Sequence, residues 1–375
     1  MLPPRSGKVK LCLAAAATGL LFLLAPASPA AGGEFIGINV AGPDQRDLQK
    51  IADTEVRSDR FLLSWAAVQP SKGGDFKWGA TDRMVGGSAS RGIRALPMVW
   101  GSPHWAASSP ARPPIDTAGT RHAWRAFLEA AVKRYGPGGA YWGGPYHQQF
   151  GTNAKAVPIT AWQIWTEPNG KAYFDPSPSP RRYARLLQIS HDAIKGANSK
   201  ARVVLAGLVG LRKWHGRTLK GIPGWKYLRE LYRVPGVKRN FDIAAVHPYA
   251  PNLEQLRREM KLFRAAMRKG GDGHTQLWIT ELGWGSAPRG SGNSLLGLNK
   301  GANGQRQLLA GSFKLILSHR RSWRVGRLYW YDWRDPPKDA TAPCSFCETA
   351  GLLRNNRKPK PAYRPFARFA RKSPG

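Results

Sequence analysis

The sequence contains little cysteine and little acidic charge, and it lacks two motifs that mark common enzyme classes. Only three of its 375 residues are cysteine, and Cys12 lies within an apolar N-terminal run. No Gly-x-Gly-x-x-Gly follows the first predicted strand, which argues against a dinucleotide-binding fold. No Gly-x-Ser-x-Gly is present, so a serine hydrolase of the nucleophile-elbow type is not supported.

The other two cysteines, Cys344 and Cys347, are separated by two residues. A second Cys-x-x-Cys and a pair of histidines at ligand spacing are both missing, so we predict neither a metal site nor a cofactor. In an oxidising compartment this spacing favours a small local disulfide that acts as a structural staple.

Residues 1–30 are predicted to be a signal peptide. Three basic residues precede an apolar stretch over 11–25, and small residues suitable for cleavage follow at 25–27 and 28–30. The apolar stretch is too short and too rich in alanine for a membrane span, so we expect secretion without stable membrane insertion. A retained N-terminal anchor is the alternative. Residues 31–375 are predicted to form one catalytic domain, because no repeat, linker or charge block divides them.

Basic residues outnumber acidic ones by 58 to 23, which gives a formal net charge of +35. Such a charge attracts anionic polymers, including those of a cell wall. The basic residues are scattered along the chain, however, so a solvated cationic surface without a dedicated ligand is an equal alternative. We expect no nucleic-acid partner, since the chain has no recognition motif and secretion argues against one.

Segments of strand type and helix type alternate eight times along the chain. Predicted strands cover 35–40, 56–63, 93–99, 160–166, 202–206, 241–246, 276–280 and 327–331. Predicted helices cover 44–52, 78–91, 121–135, 181–197, 225–232, 253–269, 305–319 and 362–370. This alternation predicts a single (β/α)8 TIM barrel, in which active-site residues lie at the C-terminal ends of strands.

Two glutamates stand at such strand ends. Glu167 closes the fourth strand in Trp-Gln-Ile-Trp-Thr-Glu-Pro-Asn, where Pro168 stops the strand. Glu281 closes the seventh strand in Leu-Trp-Ile-Thr-Glu-Leu-Gly-Trp. A pair of carboxyl groups facing one cleft is what glycoside hydrolysis requires.

These motifs resemble those of clan-A retaining glycoside hydrolases, most closely families 39 and 5. The first resembles their acid/base motif and the second their nucleophile motif. Further similarities follow in register, namely Arg60 before Leu-Ser-Trp in the second strand, Val-His-Pro-Tyr at 246–249 and Tyr-Trp-Tyr-Asp at 329–332. The resemblance covers nearly the whole chain after residue 30.

The resemblance implies a role for each matched residue. Glu281 would be the nucleophile and Glu167 the acid/base. Arg60 would hold Glu281 ionised, Tyr249 would donate a hydrogen bond to the same carboxylate, and His247 would line the site.

Aromatic side chains at strand ends are candidates for stacking on a sugar. The resemblance assigns this role to Trp330. Position at predicted strand ends adds the candidates Trp65, Trp100, Trp105, Trp284 and Trp333, and His104, just beyond the third strand, is expected to border the sugar site.

Position 166 departs from the family pattern. The family usually carries asparagine just before the acid/base glutamate, where its amide contacts the 2-hydroxyl of the sugar. Thr166 is shorter and offers one hydroxyl, so the departure implies a weaker contact or a different 2-substituent.

Two hypotheses follow. In the first, the chain is a secreted retaining glycosidase acting on a polysaccharide or glycoconjugate, with carboxyl groups about 5 Å apart. In the second, it is a catalytically silent barrel that binds anionic glycan or cell wall through its basic surface.

Overall fold

The computed structural model describes residues 33–373, apart from 211–212, 215–216, 219–220, 292–296 and 338–343. Of 213–214 and 217–218 it describes the backbone. The predicted signal peptide lies outside the described residues and stays a prediction, as does its boundary with the predicted domain 31–375.

Eight parallel strands, numbered β1 to β8, close into a barrel. They are Ile36–Asn39, Ser58–Ser64, Arg94–Trp100, Ala161–Ile164, Arg202–Val204, Ile243–His247, Gln276–Leu282 and Val325–Trp330. Closure is visible in the register of β1, where Ile38 pairs with Asp59 of β2 on one side and with Trp330 of β8 on the other. A short strand, Leu208–Val209, also pairs with β6. The predicted (β/α)8 barrel is confirmed.

Ten α-helices, numbered α1 to α10, occur in the described part of the chain. They are Gln45–Ala52, Trp65–Val68, Gly79–Ala89, Ala118–Tyr135, His147–Phe150, Pro180–Ala197, Gly224–Tyr232, Leu253–Lys269, Gly301–Ser318 and Tyr363–Arg371. None of those described is long and apolar enough to cross a membrane.

Local sequence signals set several helix ends. The hydroxyl of Ser179 caps α6 by accepting from the Arg182 N–H, and Pro180 occupies the first turn, where its missing N–H costs nothing. The Asn252 side chain caps α8 by accepting from the Gln255 N–H at 2.9 Å. These caps explain why the predicted bounds of the long helices are close to the observed ones.

Inward-facing side chains fill the barrel as a separate apolar cluster. The cluster consists of Leu96, Ala161, Val204, Ile243, Ala245, Trp278 and Tyr329. Strand side chains alternate between the two faces, so the residues between these point outward to the helices. The same alternation decides which strand-end residues reach the cavity above the barrel.

Candidate active site

Glu167 and Glu281 follow β4 and close β7 at the same end of the barrel. The backbone between β4 and Glu167 is unusual, because Trp165 and Glu167 have φ angles of 71° and 40°. Hydrogen bonds hold this turn, since the Trp165 N–H donates to Val99 O at 2.9 Å and the Glu167 N–H donates to Gly207 O at 3.1 Å. Left-handed conformations at non-glycine residues cluster at functional sites, where the surrounding structure enforces them.

The two carboxylates are close to each other and to one imidazole. Single oxygens of Glu167 and Glu281 and a nitrogen of His247 all lie within 4.8 Å of one another. His247 Nδ1 is 2.8 Å from Glu167 Oε1, and Nε2 is 3.0 Å from Thr280 Oγ1 and 3.5 Å from Glu281 Oε1. Since its ring is fully buried, His247 lies beneath the carboxylates and not in the open cavity.

Glu281 is surrounded by donors. Arg60 Nη1 donates to Oε1 at 2.8 Å, and the Tyr249 hydroxyl donates to Oε2 at 2.9 Å. Burial alone would raise the pKa of Glu281. His247, Arg60 and the Tyr249 hydrogen bond together outweigh burial and lower the pKa below its ordinary value. The carboxylate of Glu281 is therefore held ionised.

Arg60 is itself fixed by buried polar residues. Its Nε donates to Gln163 Oε1 at 2.6 Å, and its Nη1 also donates to Asn39 Oδ1 at 2.7 Å. The Gln163 amide donates in turn to Thr280 Oγ1 at 3.1 Å. This network fixes the guanidinium, and with it the contact to Glu281, before any ligand binds.

A cavity of about 460 Å³ opens above the two carboxylates. Its aromatic wall consists of six residues from different segments, namely Phe61, Trp100, Tyr173, Tyr249, Tyr331 and Phe346. Asp332 adds a third carboxyl group. Burial, assisted by the charge of Glu281 and opposed by the Trp333 N–H, raises the pKa of Asp332 to about 7. Apolar walls with a few placed polar groups are typical of pockets for small molecules and sugars.

Several of the predicted site residues meet at this cavity. Glu167, Glu281, Arg60, Thr166 and Tyr249 line it, and Trp100, one of the stacking candidates, does so as well.

Several predicted site residues are not part of the cavity lining, among them the buried His247 and the stacking candidates Trp105, Trp284 and Trp333. Trp330 is fully buried and packs against Trp284 and Phe313, because the strand alternation turns it outward and presents Tyr331 instead. Trp65 begins α2 and is buried in the core against Trp124. His104 is exposed on the loop after β3 and is not part of the cavity lining.

Cys344 and Cys347 are joined by a disulfide, and both line the cavity mouth together with Phe346. From the sequence we predicted a local structural staple, without a place at the site for it, and assigned no role to Phe346, Tyr173 or Asp332. Tyr331 and Asp332 lie inside the Tyr-Trp-Tyr-Asp motif. The alternation of side chains between the two faces of the strand was therefore the signal that could have placed them at the cavity. Tyr173 and Phe346 come from irregular segments and carried no such signal.

Glu167, His247 and Glu281 have the spacing of a metal-ligand set. Glu281 Oε1 already accepts from Arg60 Nη1, and Glu167 Oε1 is already hydrogen-bonded to His247 Nδ1, so a cation would have to displace a buried guanidinium. The arrangement therefore suits a hydrogen-bonded pair of carboxyl groups better than a metal ion.

No protein-family model and no curated protein matches the sequence. Solved structures do match the fold. A family 39 glycoside hydrolase from Bacteroides cellulosilyticus superposes with a TM-score of 0.61 at 22% identity, over 90% of this chain and 63% of that one. The present chain thus spans less than two thirds of that structure.

Two further structures match with similar scores. A monomeric beta-xylosidase from Caulobacter crescentus gives a TM-score of 0.59 at 15% identity, covering 90% of this chain and 67% of that one. A GH5_18 variant from Bifidobacterium longum, in complex with Manβ1-4GlcNAc, gives 0.62 at 15% identity, covering 91% and 78%. The chain has the (β/α)8 fold of these glycoside hydrolase structures.

Proposed function

We propose that this chain is a retaining glycoside hydrolase that cleaves O-glycosidic bonds by double displacement. One observation carries the proposal, namely that oxygens of Glu167 and Glu281 lie within 4.8 Å of each other at the C-terminal ends of two strands. Retaining enzymes hold their carboxyl groups about 5 Å apart, whereas inverting enzymes leave room for a water molecule at roughly 6.5–9.5 Å.

Glu281 is the proposed nucleophile. The donors Arg60 and Tyr249 occupy both of its oxygens and lower the pKa of its carboxyl group, so the group is available in its charged form. In the first step an oxygen of Glu281 attacks the anomeric carbon while the bond to the leaving oxygen breaks. The leaving oxygen takes its proton from Glu167.

Glu167 is the proposed acid/base. Its contact with His247 Nδ1 at 2.8 Å orients the carboxyl group within the site. In the second step Glu167 accepts a proton from water, the water oxygen attacks the anomeric carbon, and the ester bond to Glu281 breaks. The product then has the anomeric configuration of the substrate.

We also propose secretion, on the composition of residues 1–30, and attraction to anionic cell-wall polymer, on the net charge of 55 − 23 = +32 that remains without those residues. Sugars linked as in Manβ1-4GlcNAc, which one structural neighbour holds, are included among the substrates to be tested.

The test is release of reducing sugar from a panel of polysaccharides and oligosaccharides. Wild-type protein is compared with Glu281→Gln, Glu167→Gln and the control Glu254→Gln, whose side chain is exposed on the outer helix α8. We expect the first two substitutions to abolish release and the control to retain it. Full activity in Glu281→Gln would contradict the proposal. Salt-sensitive binding to anionic polymer without hydrolysis, unchanged in all variants, would support the silent barrel instead.

A further inference from the structure

The turn closed by the Cys344–Cys347 disulfide packs against Tyr249, which contacts Glu281. Phe346, between the two cysteines, is 8% exposed, and its ring centroid lies 5.2 Å from that of Tyr249 at an interplanar angle of 64°. The hydroxyl of Tyr249 donates to Glu281 Oε2 at 2.9 Å. One aromatic ring therefore separates Phe346 from the proposed nucleophile.

Tyr331 completes a cluster of three rings. Its centroid lies 6.2 Å from Phe346 and 6.5 Å from Tyr249, with the two tyrosine rings almost perpendicular at 88°. Edge-to-face contacts favour particular ring orientations. Together with His247, whose ring centroid lies 6.3 Å from that of Tyr249, these two neighbours restrict the direction of the Tyr249 phenol axis, which decides where its hydroxyl points.

The segment that carries Phe346 is tied down on both sides. After Phe346, Thr349 O accepts from the Ser286 N–H and from Lys360 Nζ, each at 2.9 Å. Around Phe346, the disulfide and the hydrogen bond from the Cys347 N–H to Cys344 O at 3.0 Å close the turn. The disulfide is the covalent part of this anchorage.

We propose that Phe346 is a positioning residue for Glu281, acting through Tyr249, and that the Cys344–Cys347 disulfide holds Phe346 in place. The consequence for turnover rests on the proposed function. The effect of Phe346 on the ionisation of Glu281 is measurable without any substrate.

A hydrogen bond from Tyr249 favours the ionised form of Glu281, so a misdirected hydroxyl raises the pKa of that carboxyl group. The other titratable or charged groups that face Glu281 stay the same in the variants below. They are Arg60 from β2, Glu167 and Tyr173 from the segment after β4, His247 from β6, and Tyr331 and Asp332 from the segment after β8.

A dithiol reductant provides a second way to release Phe346. It supplies two electrons and two protons to the Cys344–Cys347 bond, which becomes two thiols while the reductant becomes a disulfide. The turn then loses its covalent closure. Reduction is expected to move the ionisation of Glu281 in the same direction as removal of the Phe346 ring.

The experiment is a carboxyl-carbon NMR titration of the full chain labelled with [δ-13C]glutamate. The signal of Glu281 is assigned as the one missing from Glu281→Gln. We expect Tyr249→Phe to raise the midpoint by roughly one pH unit, and Phe346→Ala to raise it by roughly 0.4. Phe346→Leu, which keeps most of the side-chain volume but loses the edge-to-face contact, should raise the midpoint about as far as Phe346→Ala. If Phe346→Ala fails to fold, Phe346→Val makes the same test.

The double variant Tyr249→Phe with Phe346→Ala distinguishes positioning from simple packing. If Phe346 acts through Tyr249, the double variant has the midpoint of Tyr249→Phe alone. The proposal would be overturned if Phe346→Ala raised the midpoint of Tyr249→Phe as much as it raises that of the wild type. It would also be overturned if Phe346→Ala alone left the midpoint unchanged.

Dithiothreitol tests the role of the disulfide. It should raise the midpoint of the wild type and leave that of Cys344→Ser with Cys347→Ser, already raised, unchanged. An unmoved midpoint in the reduced wild type would remove the disulfide from the account. These outcomes are separate from those of the glycosidase test, which depends on sugar release in Glu281→Gln.

Discussion

His247 Nδ1 lies 2.8 Å from Glu167 Oε1, and the same ring reaches the opposite carboxylate, with Nε2 3.5 Å from Glu281 Oε1. A fully buried imidazole thus connects the proposed acid/base with the proposed nucleophile. The ring has room because residue 207 is glycine. A Cβ at Gly207 would stand 1.9 Å from His247 Nε2 and 2.2 Å from Cδ2.

Gly207→Ala is expected to displace the His247 ring and reduce kcat at least tenfold, because both carboxylates lose a fixed neighbour. Steady-state kinetics measure the loss. Gly196→Ala is the matched control, since that glycine lies on α6 with nothing within 4 Å of the added carbon. Equal kcat values in Gly207→Ala and Gly196→Ala would show that Gly207 is not needed to make room for the His247 ring.

Arg60→Met is expected to lower stability by about 3 kcal/mol, because it leaves the charge of Glu281 buried without its ion-pair partner. The pKa of Glu281 rises at the same time, so the acidic limb of the kcat/KM profile moves to higher pH. Denaturant unfolding and the pH profile check the two effects. Arg60→Lys keeps the charge, so it should show a smaller loss of stability and a smaller shift of the acidic limb. An acidic limb that does not move in Arg60→Met would contradict the pairing of Arg60 with Glu281.

Trp100→Ala is expected to raise KM about tenfold, because it removes an aromatic face from the cavity. Trp330→Phe, by contrast, changes a core residue that packs on Trp284 and Phe313. That variant should lose thermal stability while keeping the KM of the wild type. A raised KM in Trp330→Phe, with Trp100→Ala unaffected, would reverse the assignment.

Asp59→Asn is expected to stabilise the protein at pH 8. Asp59 is fully buried, Ser88 donates to Oδ2 at 2.5 Å, and Oδ1 has no hydrogen-bond partner among the described residues. Burial, opposed by Ser88, raises the pKa of Asp59 from 3.8 to about 7.

Because the folded protein holds this proton more tightly, ionisation of Asp59 opposes folding. The cost is absent below the unfolded pKa and grows as pH rises through the folded one. The amide should therefore raise Tm by roughly 3 °C at pH 8, with the gain fading towards pH 4. Scanning calorimetry measures this change in Tm, and Asp75→Asn, which replaces an exposed aspartate, is the control. A gain independent of pH would contradict the linkage.

The barrel was predictable because its strands and helices have distinct periodicities and clear ends. The predicted helix 253–269 matches α8, which begins after the Asn252 cap and ends at the basic pair Arg268 and Lys269. The two glutamates were predictable for a similar reason, since each follows an apolar strand in a recognisable motif.

The aromatic wall was less predictable because it depends on side-chain direction. At the end of β8, Tyr329 faces into the barrel and Trp330 faces α9, so Tyr331 reaches the cavity. Because the strand is apolar on both faces, its hydropathy does not show which side chains point into the barrel and which point to the helices. Phe346 reaches the site from a segment far along the chain, through contacts that only the three-dimensional structure reveals.

The most direct test of the central claim is covalent trapping with a panel of 2-deoxy-2-fluoroglycosyl fluorides, in which the fluorine slows both steps and the fluoride leaves without acid assistance. Peptide mass spectrometry then locates the sugar. The account predicts one adduct per chain, on the carboxylate of Glu281, and none in Glu281→Gln. An adduct on another residue, or sugar release with inverted anomeric configuration and no adduct, would contradict it.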